Sequence, residues 1–209
     1  LLEVSYEAFE NAGISLSSVA GTDVGVFISA STNDYRFVFH NDLDTLPMFE
    51  STGSELSIMS NRISYTFNLR GPSMTIDTPC SSSLIALHTA FRSLQVGESS
   101  CAIVGGSNLH ITPDSYISFS TMSCTGSCRP MDDRAVNGFG RGEGTSCIIL
   151  KPLDAALKDH DPIRAVIRNT GTNQDGKTTG ITMPNGEAQA ALMQSVYEAA
   201  GLDPLETDY

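Results

Sequence analysis

Of the five cysteines in the chain, at positions 80, 101, 124, 128 and 147, one has the neighbours a nucleophile needs. Cys80 stands in IDTPCSSSLIALH (residues 76–88), between a short β-type run and a long apolar helical one. The first amides of a helix lack intrahelical acceptors and carry partial positive charge, so a thiolate at that junction is stabilised and is the nucleophilic form. The same free amides, the N–H of Cys80 among them, can donate to the oxyanion that forms when a thiolate adds to a thioester. Ser81, Ser82 and Ser83 keep the turn small and polar. By periodicity alone the segment reads equally well as a buried cysteine followed by a serine cap. The chemistry at stake is acyl transfer to sulfur.

The other reactive side chains lack such a setting. Cys101 and Cys147 lie in apolar runs and read as small core residues. Cys124 and Cys128 are separated by three residues, but no second pair of ligands has zinc-site spacing. The run GFGRGEG (138–144) is not the dinucleotide fingerprint and no phosphate-loop lysine follows it, so it reads as a turn that allows close backbone approach. GGSNL (105–109) lacks the closing glycine of a hydrolase nucleophile elbow around Ser107. Asp132, Asp133 and Glu143, set among Arg129, Arg134 and Arg141, predict a loop-fixing cluster of ion pairs. Among the histidines, His88 sits two turns along the Cys80 helix and cannot reach back to serve as its base. His40 and His160 read as exposed, and His110, just after a strand, as structural.

The elements that must position Cys80 follow from the apolar pattern. Helices are predicted over 1–12, ended by Gly13, and over 54–67, with a polar stretch at 32–52 before the second. Buried strands are predicted at 23–31, 73–78 and 101–108, and a helix at 81–94 whose apolar residues run almost all round, as for a helix held between layers. Further strands are predicted at 145–151 and 163–171, with helices at 114–122, 153–158 and 187–200. The alternation of strand and helix predicts an α/β fold with a parallel sheet.

Composition bounds the function. The chain has 209 residues, 40% of them apolar, as expected of a folded core. A net charge of −12 with only 12 Lys and Arg argues against nucleic-acid binding. No apolar run reaches the ~18–20 residues of a membrane-spanning helix. An odd cysteine set with no signal peptide before it predicts a reducing cytoplasmic setting. The first residues open inside an amphipathic pattern and the last stop without a cap, which reads as a segment of a longer polypeptide.

Five stretches carry a family resemblance. They are NRISYTFNLRGPSMTIDTPCSSSLIALHTA (61–90), AIVGGSNLHITPD (102–114), GFGRGEG, LKPLDAAL (150–157) and NQDGKTTGITMPNGEAQ (173–189). In these the chain resembles the β-ketoacyl synthases of type I polyketide synthases, in texture closest to the iterative, highly reducing enzymes of filamentous fungi. The resemblance implies a thiolase-like layered α/β fold, with residues 1–158 as the nucleophile-bearing N-terminal half and 159–209 as the beginning of a C-terminal half. It implies that Cys80 accepts an acyl group from the phosphopantetheine of an acyl carrier protein, with no cofactor bound directly. Condensation with a malonyl thioester would then use two histidines whose motifs fall beyond Tyr209. The family further implies a homodimer with the 73–78 strand near its interface, and other synthase domains as partners. Two departures stand out: Pro79, where a small residue is usual and where an extended approach from Thr78 predicts tolerance, and Met131, where an aromatic is common. A non-catalytic partner subunit would commonly lack the cysteine, and a coenzyme A-dependent thiolase relative fits the 173–186 motifs less well.

Overall fold

The computed structural model describes residues 1–40, 44, 46–121, 126–129, 132–133 and 138–208. Its centre is β1 (Gly25–Ser29), a GVFIS run buried at every position. Such a strand needs a neighbour on each edge and a layer on each face. Strand β2 (Ser73–Ile76) pairs parallel to it on one edge and β3 (Ala102–Asn108) parallel on the other. Strand β4 (Gly144–Leu150) completes the order β2-β1-β3-β4, but it runs antiparallel to β3. The expectation of a parallel sheet is therefore corrected at this strand. Its register runs from Ala102 against Leu150 to Asn108 against Gly144, and an antiparallel neighbour needs no crossover helix; the one described helix of the connection is α7 (Asp114–Thr121).

Alternation along the strands sorts the core into two layers. Val26, Ile28 and Ile103 face one way and pack with Phe9 of α1 (Leu2–Asn11), Ile63 of α5 (Ser57–Phe67), and Val19, Val24, Leu69 and Cys101. Val19 ends α2 (Leu16–Val19). Phe27, Ala102 and Val104 face the other way, against Ala86 and Ala90 of α6 (Ser82–Val96). Two alanines at i and i+4 put only methyl groups between the helix backbone and the sheet. The result is helix, sheet, helix, a three-layered α/β arrangement.

Several boundaries differ from the sequence reading for local reasons. The helix expected from residue 54 starts at Ser57. Glu55 is extended (ψ 141°) and separates α5 from a short α4 (Glu50–Ser54). The polar stretch before it holds α3 (Asp34–His40). Helix α6 ends on Gly97 in the left-handed region (φ 76°), as a C-terminal glycine should. Its outer face, expected to lie between layers, is uncovered in this chain: Leu84 is 68% and Val96 64% exposed. The strand expected over 163–171 forms no ladder among the described residues. β-Branched residues favour extended backbone, but a strand exists only where a neighbour accepts its bonds. Side chains hold that segment instead. Arg164 Nη2 donates to Asn11 Oδ1 at 3.3 Å, and Asn169 Nδ2 to the carbonyl of Val196 at 3.0 Å, on α9 (Gly186–Ala200). A double ion pair closes the preceding turn: Lys151 Nζ lies 2.5 Å from Asp159 and 2.6 Å from Asp161, across α8 (Leu153–Lys158).

Candidate active site

Strand β2 ends at Ile76, whose carbonyl accepts the Ala30 amide, and four residues later the chain reaches Cys80. Cys80 is the middle residue of a 3-10 turn, Pro79–Ser81, that feeds directly into α6, and its side chain is exposed. The nucleophile candidate thus stands where the sequence placed it, at the mouth of a helix that rests on the central strand. The turn is closed by the Ser81 amide on the Thr78 carbonyl at 3.0 Å, with the Ser81 hydroxyl on the same carbonyl at 2.7 Å. The Cys80 N–H falls among the first amides of the turn, which have no acceptor within it.

The approach to the turn overturns one expectation. Thr78 is not fully extended (φ −134°, ψ 53°), and Pro79 takes φ 23°. A pyrrolidine ring favours φ near about −65°, so the easy accommodation expected of this proline is not what the turn shows. Sharp strand-to-helix turns that expose a nucleophile demand such backbone, and here the demand falls on a residue unsuited to it.

Two of the remaining cysteines are poor competitors. Cys101 is 6% exposed, and burial pushes its thiol up to about 11. Burial likewise raises the thiol of Cys147, against the opposing contact with the Ser5 hydroxyl at 3.4 Å. Cys128 is exposed, and its sulfur accepts the Gly140 amide at 3.0 Å. Cys124 lies outside the described residues, as do Met131 and Arg134.

Three of the four histidines are engaged elsewhere. His88 Nδ1 lies 2.8 Å from the Thr170 hydroxyl, and burial, with a smaller push from Arg92, lowers its pKa and keeps the ring neutral. His40 Nε2 meets Glu50 Oε1 at 2.9 Å, so it is paired as well as partly exposed. His110 sits between Asn108 and Ser115, with the Tyr116 ring 5.2 Å away. His160 is exposed in the left-handed region (φ 57°) after α8.

Part of the expected ion-pair cluster around GFGRGEG, Arg134 included, lies outside the described residues; two of its described members make other contacts as well. Arg141 lies over the Phe119 ring at 4.2 Å, and Glu143 accepts the His110 amide at 2.5 Å. Asn108 Nδ2 donates to the Gly142 carbonyl at 2.6 Å, which ties this turn to the end of β3. Two contacts escaped the sequence reading: the Thr170 partner of His88, too distant in sequence to infer, and a pair of bonds made by Ser82. The second left a signal, since a serine four residues after Thr78 and three after Pro79 has the spacing of side chains that cap their own turn. A cavity of about 470 Å³ is lined by Asn33, Asp34, Leu56, Met59, Arg62 and Leu109 among others, and Cys80 is not part of its wall.

This chain belongs to the β-ketoacyl synthase family: residues 1–156 match the β-ketoacyl synthase N-terminal domain and residues 164–209 the C-terminal domain. It is 52% identical over its whole length to highly-reducing polyketide synthase 1 of Aureobasidium melanogenum and 49% to the partially reducing polyketide synthase men1 of Menisporopsis theobromae. It spans 10% and 8% of those two relatives. Among solved structures it is similar to the ketosynthase from module 6 of the bacillaene synthase of Bacillus subtilis 168 (37% identity, TM-score 0.88). The match covers 97% of this chain and 34% of that one. It is similar also to an oxazolomycin ketosynthase domain of Streptomyces albus JA3453 (33% identity, TM-score 0.89), covering 97% and 36%.

Proposed function

We propose that this chain carries the acyl-accepting part of a ketosynthase active site, with Cys80 as the nucleophile. The observation that carries the reading is the exposure of Cys80 at the mouth of α6. The Cys80 thiolate attacks the carbonyl of an acyl thioester borne on the phosphopantetheine of an acyl carrier protein. A C–S bond forms, the negative charge moves to the carbonyl oxygen, and the carrier thiol leaves when the carbonyl re-forms. The Cys80 N–H donates to that oxyanion. The acyl enzyme then condenses with the carbanion left by decarboxylation of a malonyl thioester. That step needs proton donors and charge stabilisation, whereas His40, His88 and His110 are bonded to Glu50, Thr170 and Ser115 and His160 is exposed after α8. The resemblance puts two histidines for it beyond Tyr209, so these 209 residues alone do not condense malonyl units.

The division of the chain near Lys158 into a nucleophile-bearing half and the start of a second half is supported by family matches that stop at 156 and resume at 164. A homodimer meeting near β2 is supported by that strand's place at the sheet edge, with Met74 37% exposed. Sedimentation of the whole domain as a monomer at micromolar concentration would refute the dimer. A cytoplasmic setting is supported by Cys80, Cys101, Cys128 and Cys147 being free thiols. Intact-mass spectrometry after exposure of the whole ketosynthase to an acyl thioester tests the nucleophile: Cys80→Ala should abolish the added mass. Acylation that persists at another residue would overturn the assignment.

A further inference from the structure

The hydroxyl of Ser82 bridges the two residues that precede Cys80. It accepts the Thr78 amide at 2.8 Å and donates to the Pro79 carbonyl at 2.8 Å, so its one proton and one of its lone pairs are used on the turn itself. Ser82 is 5% exposed, whereas Ser81, whose hydroxyl bonds the Thr78 carbonyl, lies at the surface. The bridge spans Cys80 on the protein side and leaves the thiol outward. It also spans the proline: the amide of Thr78 and the carbonyl of Pro79 flank the φ of 23°. A backbone conformation that the pyrrolidine ring disfavours persists only if neighbouring bonds over-determine it. The Ser82 hydroxyl is placed to do that from within the first turn of α6, which is itself fixed by Ala86 and Ala90 on the sheet.

We infer that Ser82 is a positioning residue for acyl transfer: its hydroxyl holds the Thr78–Pro79 backbone so that the Cys80 sulfur and N–H converge on one carbonyl. This rests on the reading of Cys80 as the nucleophile. Ser82 does not touch the substrate, so its effect falls on the acylation step and not on thioester binding. A small displacement of reacting groups costs on the order of 10²-fold in rate. Ser82→Ala also leaves the Thr78 amide without its acceptor. Ser82→Thr keeps the hydroxyl.

The test is single-turnover acylation of the whole ketosynthase by an acyl N-acetylcysteamine thioester, followed by intact mass against thioester concentration. Ser82→Ala should lower the limiting rate by about 10- to 100-fold with half-saturation unchanged, and Ser82→Thr should return it to within about threefold of the parent. A parent-like rate in Ser82→Ala, or a loss carried wholly by half-saturation, would overturn the inference. Should Ser82→Ala not fold, exchange of the Thr78 amide in the parent decides. Protection supports the bridge, and free exchange refutes it. Cys80→Ala run alongside separates the two readings. Acylation surviving in that variant removes the nucleophile assignment, whereas its loss together with an unaffected Ser82→Ala removes only the role of Ser82.

Discussion

Replacing Gly71 by alanine should unseat β2, and the size of the effect follows from what the new methyl would meet. A Cβ built there lies 2.3 Å from the carbonyl oxygen of Asp23 and 2.6 Å from the carbonyl carbon and oxygen of Val24. These are backbone atoms at the entry to β1, so no side-chain rotation relieves the overlap, which falls more than about 1 Å short of ordinary contact. The two segments must part. Three bonds sit at the join: Arg70 N–H to the Thr22 carbonyl at 2.8 Å, Gly71 N–H to that of Val24 at 3.2 Å, and Val26 N–H to that of Pro72 at 2.7 Å. At about 1 kcal/mol net for each, with some lost packing, the cost is about 2–4 kcal/mol out of the ~5–15 kcal/mol typical of a folded domain. For a unit of this size that lowers the melting temperature by about 5–15 °C. Gly53→Ala is the matched control, because its Cβ meets nothing within 4 Å inside α4, and it should be neutral or slightly stabilising. Thermal unfolding followed by circular dichroism reads both. A Gly71→Ala protein melting within about 1 °C of the parent would show that the strands do not approach as described.

The cysteines should separate by reactivity towards iodoacetamide. At pH 7.5, a thiol pushed up to about 11 as in Cys101 holds about 300-fold less thiolate than an ordinary one, so peptide mapping of the native protein should find Cys80 and Cys128 modified and Cys101 only after unfolding. Equal labelling of Cys101 and Cys80 in the native state would contradict the burial. His88 should give stability a pH slope with a defined sign. Burial depresses its folded pKa below the unfolded value of about 6.5, so the unfolded chain takes the proton first, and stability present above about pH 6.5 is lost as pH falls through the folded value. His88→Gln should flatten the decline in melting temperature between about pH 7 and pH 5. A slope identical to the parent would assign the decline to other groups.

How much of this was legible in the sequence depended on whether the deciding force was local. β1 could be read from five consecutive apolar or small residues, because a strand covered on both faces has no polar position to spare. The junction at Cys80 could be read because a β-type run stops and a helical period starts on either side of it. The sense of β4 could not, since GTSCIIL has the same alternation whether its partner runs parallel or antiparallel. Residues 163–171 misled for the opposite reason: their β-branched content reports a preference for extended backbone but not the presence of a partner. The contact of Arg141 with the Phe119 ring was not read either, since it depends on the spatial approach of α7 to the glycine turn. Pro79 was the subtlest case. Ring geometry predicts an extended Thr78 and a φ near about −65° for the proline itself, and the turn into α6 sets both otherwise.

The pair of alanines under α6 has a mechanical meaning. Ala86 and Ala90 act as the two feet of a rod whose overhanging tip is the nucleophile turn, and each foot is a single methyl resting on Phe27, Ala102 and Val104. The height of Cys80 above the sheet is therefore set in part by two of the smallest side chains, with Leu87 and Leu94 packed against the same cluster. A larger residue at either foot would tilt the rod. A lift of a fraction of an ångström near Ala86 is carried forward about one and a half turns to the sulfur, so tolerance to change on this buried face is gauged at the thiol rather than in the core.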